Sequence, residues 1–164
     1  MTSGELALFV TIWLAVIGFV AGQAGQRIAV ETGRAPAWAW PVWCVGAFAG
    51  VLHAVLAFDI RYDWSQEQAI RATAEQTAAV YGLHWGGGLY VNYAFLAAWL
   101  ADAAWWRLAP ARFRARPTLV TTTFRVFSLI VLVNATVVFA AASRRIIGLT
   151  LIALLMWIWR PVSR

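Results

Sequence analysis

Long apolar runs that end in tryptophan and arginine constrain the fold of this chain more than any other feature. Eleven residues are Trp, and most of them lie at the ends of these runs beside Arg residues. Trp prefers the headgroup region of a bilayer and Arg its cytoplasmic side, so their positions report both membrane depth and orientation. Hydrophobic residues make up 62% of the chain and charged residues 12%, a balance that argues against a soluble globular domain. We therefore predict a polytopic membrane protein.

The apolar runs predict an all-α integral membrane fold with a single transmembrane domain over residues 1–164. The last run, 146–159, would span only about 21 Å as a helix, against a hydrocarbon core of roughly 30 Å. If it is re-entrant or lies on the surface, the bundle has four transmembrane helices; otherwise it has five. The five expected helices cover approximately 5–22, 40–58, 86–106, 119–142 and 144–160.

The segment between the second and third apolar runs predicts an amphipathic helix on the outer surface. Ser65 is followed three residues later by Gln68, which is the spacing of a capping box at a helix start. We expect a helix over about 66–80, with Ala74 and Thr77 on the face that covers the bundle.

Arginine positions predict the orientation. Two pairs, Arg61 with Arg71 and Arg144 with Arg145, fall on the side expected to be outside, and eight arginines fall on the other. The N-terminus should therefore be outside and the C-terminus cytoplasmic. Because all thirteen basic residues are Arg, we expect a GC-rich bacterial source and an inner-membrane location. The eight are Arg27, Arg34, Arg107, Arg112, Arg114, Arg116, Arg160 and Arg164.

Polar residues at matching depths predict an outward-facing pocket. Counting about 1.5 Å per residue from the helix ends places His53, Asn92 and Thr11 roughly 9 Å below the outer surface, and Asn134 at about 13 Å. Tyr90 and Tyr93 flank this level and complete the expected pocket. The alternative is that these groups only hydrogen-bond helices together, with no ligand.

A metal or haem site at the outer end of the bundle is a more specific alternative. His53 and His84 are the two histidines of the chain, and Asp59 and Asp63 could add carboxylate oxygens. Spacing counts against haem, because His84 should lie about 12 Å above His53 if both helices are straight.

Asp102 lies within the third apolar run, and Arg125 within the fourth has a comparable predicted depth. We expect these two residues to form a buried ion pair that fixes two helices. A proton or ion relay through Asp102 is the alternative, because a proton-coupled transporter needs an embedded carboxylate.

The sequence carries no signature of hydrolytic, thiol-redox or zinc-protease chemistry. We therefore expect a non-enzymatic accessory or binding subunit that uses the outer pocket. The alternatives are a metal- or haem-binding redox component using His53 and His84, and a small transporter using Asp102. The lipid bilayer is the expected partner, with self-assembly or a larger membrane complex also open and nucleic acid not expected, since the arginines follow the pattern of topology signals.

Overall fold

The computed structural model describes residues 2–161, and within that range the chain is all helical, as predicted. Arg164, which entered the orientation count, lies outside the described residues. In chain order the elements are α1 (Ser3–Thr32), α2 (Ala39–Tyr62), α3 (Gln66–Tyr81), α4 (Gly88–Leu108), α5 (Pro110–Arg114), α6 (Thr118–Val133), a π-helical turn (Asn134–Val138) and α7 (Ala142–Ile158).

Three helical segments are long and apolar enough to cross a membrane: α1, α2 and Thr118–Val138, which combines α6 with the π-helical turn. The other two segments expected to cross differ from these in polarity or length. α4 has 21 residues but includes Asn92, Asp102 and several Tyr and Trp residues. α7 has 17 residues, fewer than the roughly 20 that a straight crossing needs.

α1 extends ten residues beyond the end predicted from its apolar run, through Thr32. The sequence becomes more polar after Gly22, but the polar side chains find partners on other helices. Gln23 accepts a hydrogen bond from Nε1 of Trp159 at 2.8 Å, and Arg27 donates to backbone carbonyls at the end of α7. The helix ends at Gly33, whose φ of 76° is a left-handed conformation that glycine adopts easily.

Five long helices form a closed ring in the order α1, α2, α4, α6 and α7, with α7 packed against α1. The α1–α2 contact is close because small residues face each other. A Cβ atom on Gly18 would lie 2.6 Å from Cα of Gly46, so the backbones approach as they do in small-xxx-small pairs of membrane helices.

Side-chain contacts fix the relative directions of α1, α2, α4 and α7 in the ring. Thr11 lies beside His53, so α1 and α2 are antiparallel, and Trp43 reaches Asp102, so α4 returns antiparallel to α2. Arg144 packs over Phe9 and Arg27 reaches the end of α7, so α7 runs parallel to α1. We call the end at which α1 and α7 finish the arginine end, and the opposite end the α3 end.

An aromatic cluster fills the middle of the ring. Phe19 and Trp43 have ring centroids 4.9 Å apart, and Trp99 lies 5.0 Å from each of them. Contacts of this geometry stabilise beyond the burial of area alone. We call this cluster the aromatic plug, and its members are Phe19, Trp43, Phe95, Trp99 and Phe124.

Candidate ligand-binding cavity

A cavity of about 530 Å³ lies inside the ring at the α3 end. Residues of α1, α2, α4 and α6 form its walls, and residues of α3 line it from above. The aromatic plug closes it below, since Phe95 and Trp99 belong to both. Its volume falls within the range of about 300 to 1,000 Å³ that is typical of small-molecule sites.

The lining of the cavity changes character with depth. The deep end is apolar and is formed by residues such as Val16, Leu96 and Trp99. Asn92, seven residues before Trp99 and therefore about 10 Å closer to the α3 end, brings an amide to the upper part. Gln76 and Thr77 of α3 add polar groups there. The cavity is therefore apolar at depth and polar near its α3 side.

The structure brings most of the residues of the expected pocket to this cavity. His53, Asn92, Tyr93 and Asn134 all line it. Thr11 is buried and contacts His53, so it supports the wall from behind. Tyr90 is the exception: it is exposed and packs edge-on against Tyr93.

His53 is held in one orientation by α1. Its Nδ1 lies 3.0 Å from the backbone carbonyl oxygen of Leu8 and 3.2 Å from Oγ1 of Thr11. A carbonyl can only accept, so Nδ1 carries the proton and donates. In the neutral ring Nε2 is then an acceptor, available to a donor group of a ligand.

The helix predicted at about 66–80 is α3, and two hydrogen bonds join its ends to the ring. The Tyr81 hydroxyl donates to Oδ1 of Asn134 at 2.8 Å, and the Tyr93 hydroxyl donates to Oε1 of Gln66 at 3.2 Å. Sequence reasoning found the helix and its buried face but not these partners. A periodic sequence pattern cannot predict a hydrogen bond between residues that are 53 positions apart in the chain.

The expected metal ligands do not come together, which corrects that hypothesis. Within residues 2–161 no group of three or more His, Cys, Asp or Glu residues could hold a metal ion. His84, Asp59 and Asp63 are exposed, whereas His53 is half-buried and lies about 9 Å before Asp59 on α2. Asp59 instead accepts a hydrogen bond from Nε1 of Trp64 at 3.0 Å.

Asp102 pairs with Arg116 and not with Arg125, so the predicted ion pair is wrong in its partner. Nη1 of Arg116 lies 2.6 Å from Oδ1 of Asp102, and Nε1 of Trp43 donates to Oδ2 at 3.1 Å. Arg116 also donates to Oε1 of Gln26 at 3.1 Å. We call these four residues the Asp102 cluster.

The short helix α5 is the physical reason for this pairing. It begins at Pro110 and turns the chain back beneath the ring, where Phe113 is buried and stacks on Trp106. The Arg116 guanidinium then lies 4.2 Å from the Phe113 ring centroid, within reach of Asp102. The sequence prediction compared depths along straight helices only. It could not find Arg116, because that residue lies in the segment that connects α5 to α6.

Comparison of the chain with protein-family models, curated proteins and solved structures finds no match. A function for the chain must therefore be argued from its own residues.

Arg125, the expected partner of Asp102, faces α7 instead. Its guanidinium carbon lies 5.6 Å from the Trp159 ring centroid, which is cation–π geometry. Its Nε is buried and has no hydrogen-bond partner within residues 2–161.

Proposed function

We propose that this chain is a small non-enzymatic binding protein of the bacterial inner membrane, in which the ring of five helices crosses the bilayer. The cavity beneath α3 would bind a small amphipathic molecule. The observation that carries the proposal is the cavity itself: about 530 Å³, apolar at depth and polar near α3.

Two features support a crossing by α7 despite its length. α7 lies along α1 from Phe9 to Arg27, which are eighteen positions apart and therefore about 27 Å along the helix, close to the thickness of the hydrocarbon core. The outward side of α7 is apolar, with Ile146, Leu149 and Met156 all exposed. Such a surface suits lipid better than water.

The length of α4 and the burial of its carboxylate support a crossing of the bilayer by this helix as well. Its 21 residues span about 31 Å, and Asp102 on it is only 7% exposed. Polar groups that turn toward the bundle interior are normal in membrane helices. We therefore place both α4 and α7 among the crossing helices.

The arginine distribution supports an orientation with the N-terminus outside. The arginine end would then face the cytoplasm, and α3 and the cavity would face outward. A ligand would enter from the outer side or from the outer leaflet.

The polarity of the cavity indicates an amphipathic ligand. An alkyl or ring system would fill the deep end against Phe95 and Trp99, where it displaces no polar partner. A hydroxyl or amide would lie near Asn92 and His53, and His53 Nε2 could accept from it. No carboxylate lines the cavity in the described residues, so the site favours an uncharged polar group over a cationic one.

A transporter that uses Asp102 is less well supported. The Asp102 carboxylate is buried and already binds Arg116 and Trp43, and the aromatic plug lies between it and the cavity. Assembly with itself or within a larger complex stays a prediction from the small size of the bundle.

The test is a binding titration by native mass spectrometry with the uncharged single-chain amphiphile monolaurin. Ala54 lines the cavity, so Ala54→Phe should fill part of it and weaken binding by about tenfold, equivalent to roughly 1.4 kcal/mol. Ala94→Phe is the matched control, because Ala94 is exposed and lies outside the cavity lining.

The wild-type protein and the control should each retain one monolaurin molecule. Absence of binding to the wild type, or equal binding to the Ala54→Phe variant, would overturn the proposal. Thermal unfolding of all three proteins checks that the substitutions leave the fold intact.

A further inference from the structure

Hydrogen-bond donors outnumber acceptors at the arginine end of the ring. Gln23 and Gln26 are 2% and 7% exposed, and each side-chain oxygen accepts one bond, from Trp159 Nε1 and from Arg116 Nη2 respectively. Both partners can only donate, which fixes the orientation of the two amides. Their Nε2 atoms are left buried, with no acceptor within residues 2–161.

Positive charge is also in excess there. Arg27 binds Glu31 and Arg116 binds Asp102, so both carboxylates near this end of the ring are occupied. Arg125 has no carboxylate partner in residues 2–161, and its Nε is buried and unbonded. A guanidinium inside a membrane bundle without an anion is costly.

Arg125 lies within reach of the membrane interface. It follows the start of α6 by seven residues, about 10 Å along the helix, and its guanidinium covers Trp159, which follows the last residue of α7. A long arginine side chain at this depth can extend to the lipid headgroups.

From these contacts we propose that Arg125 binds the phosphate of an anionic lipid where α6 meets α7. The guanidinium donates to the phosphate oxygens, a strong charge-assisted contact. Trp159 links this site to Gln23, because its ring lies under Arg125 while its Nε1 binds the Gln23 amide. The site is separate from the cavity, which lies on the far side of the aromatic plug.

The test compares lipid retention by native mass spectrometry after reconstitution in equal parts of phosphatidylglycerol and phosphatidylcholine. The wild-type chain should retain phosphatidylglycerol preferentially, and Arg125→Gln should reduce that retention by about tenfold, as expected for one charge-assisted contact. Arg112→Gln is the control, since Arg112 is exposed on α5. Equal retention of the two lipids by the wild type would overturn the proposal even if Arg125→Gln fails to fold.

Two further measurements complete the test. One distinguishes a lipid headgroup from free phosphate, and the other distinguishes the Arg125 site from the cavity. If inorganic phosphate alone raises the melting temperature in phosphatidylcholine as much as phosphatidylglycerol does, the site binds free phosphate and the lipid proposal fails. Ala54→Phe should leave phosphatidylglycerol retention unchanged, so failure of the cavity proposal would not be confused with failure of this one. Unchanged retention by a folded Arg125→Gln protein would also contradict the assignment.

Discussion

Asp102 shows how a single carboxylate can be tolerated inside this bundle. Its two oxygens are divided between Arg116 and Trp43, so the charge is paired and each oxygen accepts a hydrogen bond. Gln26 then holds the second arm of the guanidinium. The cluster joins α1, α2 and α4 to the segment after α5.

Removing one charge of the Asp102–Arg116 ion pair should destabilise the fold more than removing both charges. Asp102→Asn leaves Arg116 buried without its anion and should lower the free energy of unfolding by about 3 kcal/mol. The double variant Asp102→Leu with Arg116→Leu should recover much of that loss, because no isolated charge remains. Unfolding in mild detergent measures both values.

Glu67 provides the control for that experiment. It pairs with Arg71 on the exposed surface of α3, so Glu67→Gln should change the free energy of unfolding by less than about 0.5 kcal/mol. An Asp102→Asn protein as stable as the wild type would show that the buried pair does not hold the ring together.

At the scale of elements, a side chain of α1 helps to attach the end of α7 to the ring. Nη1 of Arg27 donates to the backbone carbonyls of Ile158 at 2.7 Å and Arg160 at 2.9 Å, and lies 3.3 Å from that of Trp157. These groups are at the end of α7, where helix carbonyls lack intrahelical partners and attract a cation. Arg27 thus caps a neighbouring helix and closes the ring at this point.

Arg27→Met should loosen the end of α7 while leaving the α1–α2 pair in place. The lost charge-assisted hydrogen bonds predict a fall of about 1 to 3 kcal/mol in the free energy of unfolding. Hydrogen exchange should become faster over residues 155–160 and stay unchanged over residues 43–50. Arg34→Met is the control, because Arg34 is exposed beyond the end of α1. Uniform exchange in all three proteins would contradict a capping role.

Element positions could largely be predicted from the sequence, because apolar runs and caps are local signals. The extension of α1 past Gly22 could not, since Gln23 and Arg27 are polar residues whose partners lie on α7. Depth counting placed His53, Asn92 and Asn134 at similar levels, and the structure has all three on one cavity. Depth counting does not show which side of a helix a residue faces. It therefore did not reveal that Tyr90 is exposed and lies outside the cavity lining.

At the scale of the whole molecule, α7 closes the ring of five helices. α7 packs against both α6 and α1, and it supplies Trp159 and the carbonyls that bind Arg27. If α7 crosses the bilayer, its two ends lie on opposite sides of the membrane. If it does not, the two ends of α7 lie on the same side.

The most direct test is the labelling of single cysteines with a membrane-impermeant maleimide in intact cells, in a Cys44→Ala background. Cysteine at Ser143, near the start of α7, and at Gln66, at the start of α3, should label from outside. Cysteine at Arg34 and at Pro161, just beyond α7, should label only after the membrane is permeabilised. Labelling of the Ser143 and Pro161 positions from the same side would contradict the five-helix ring.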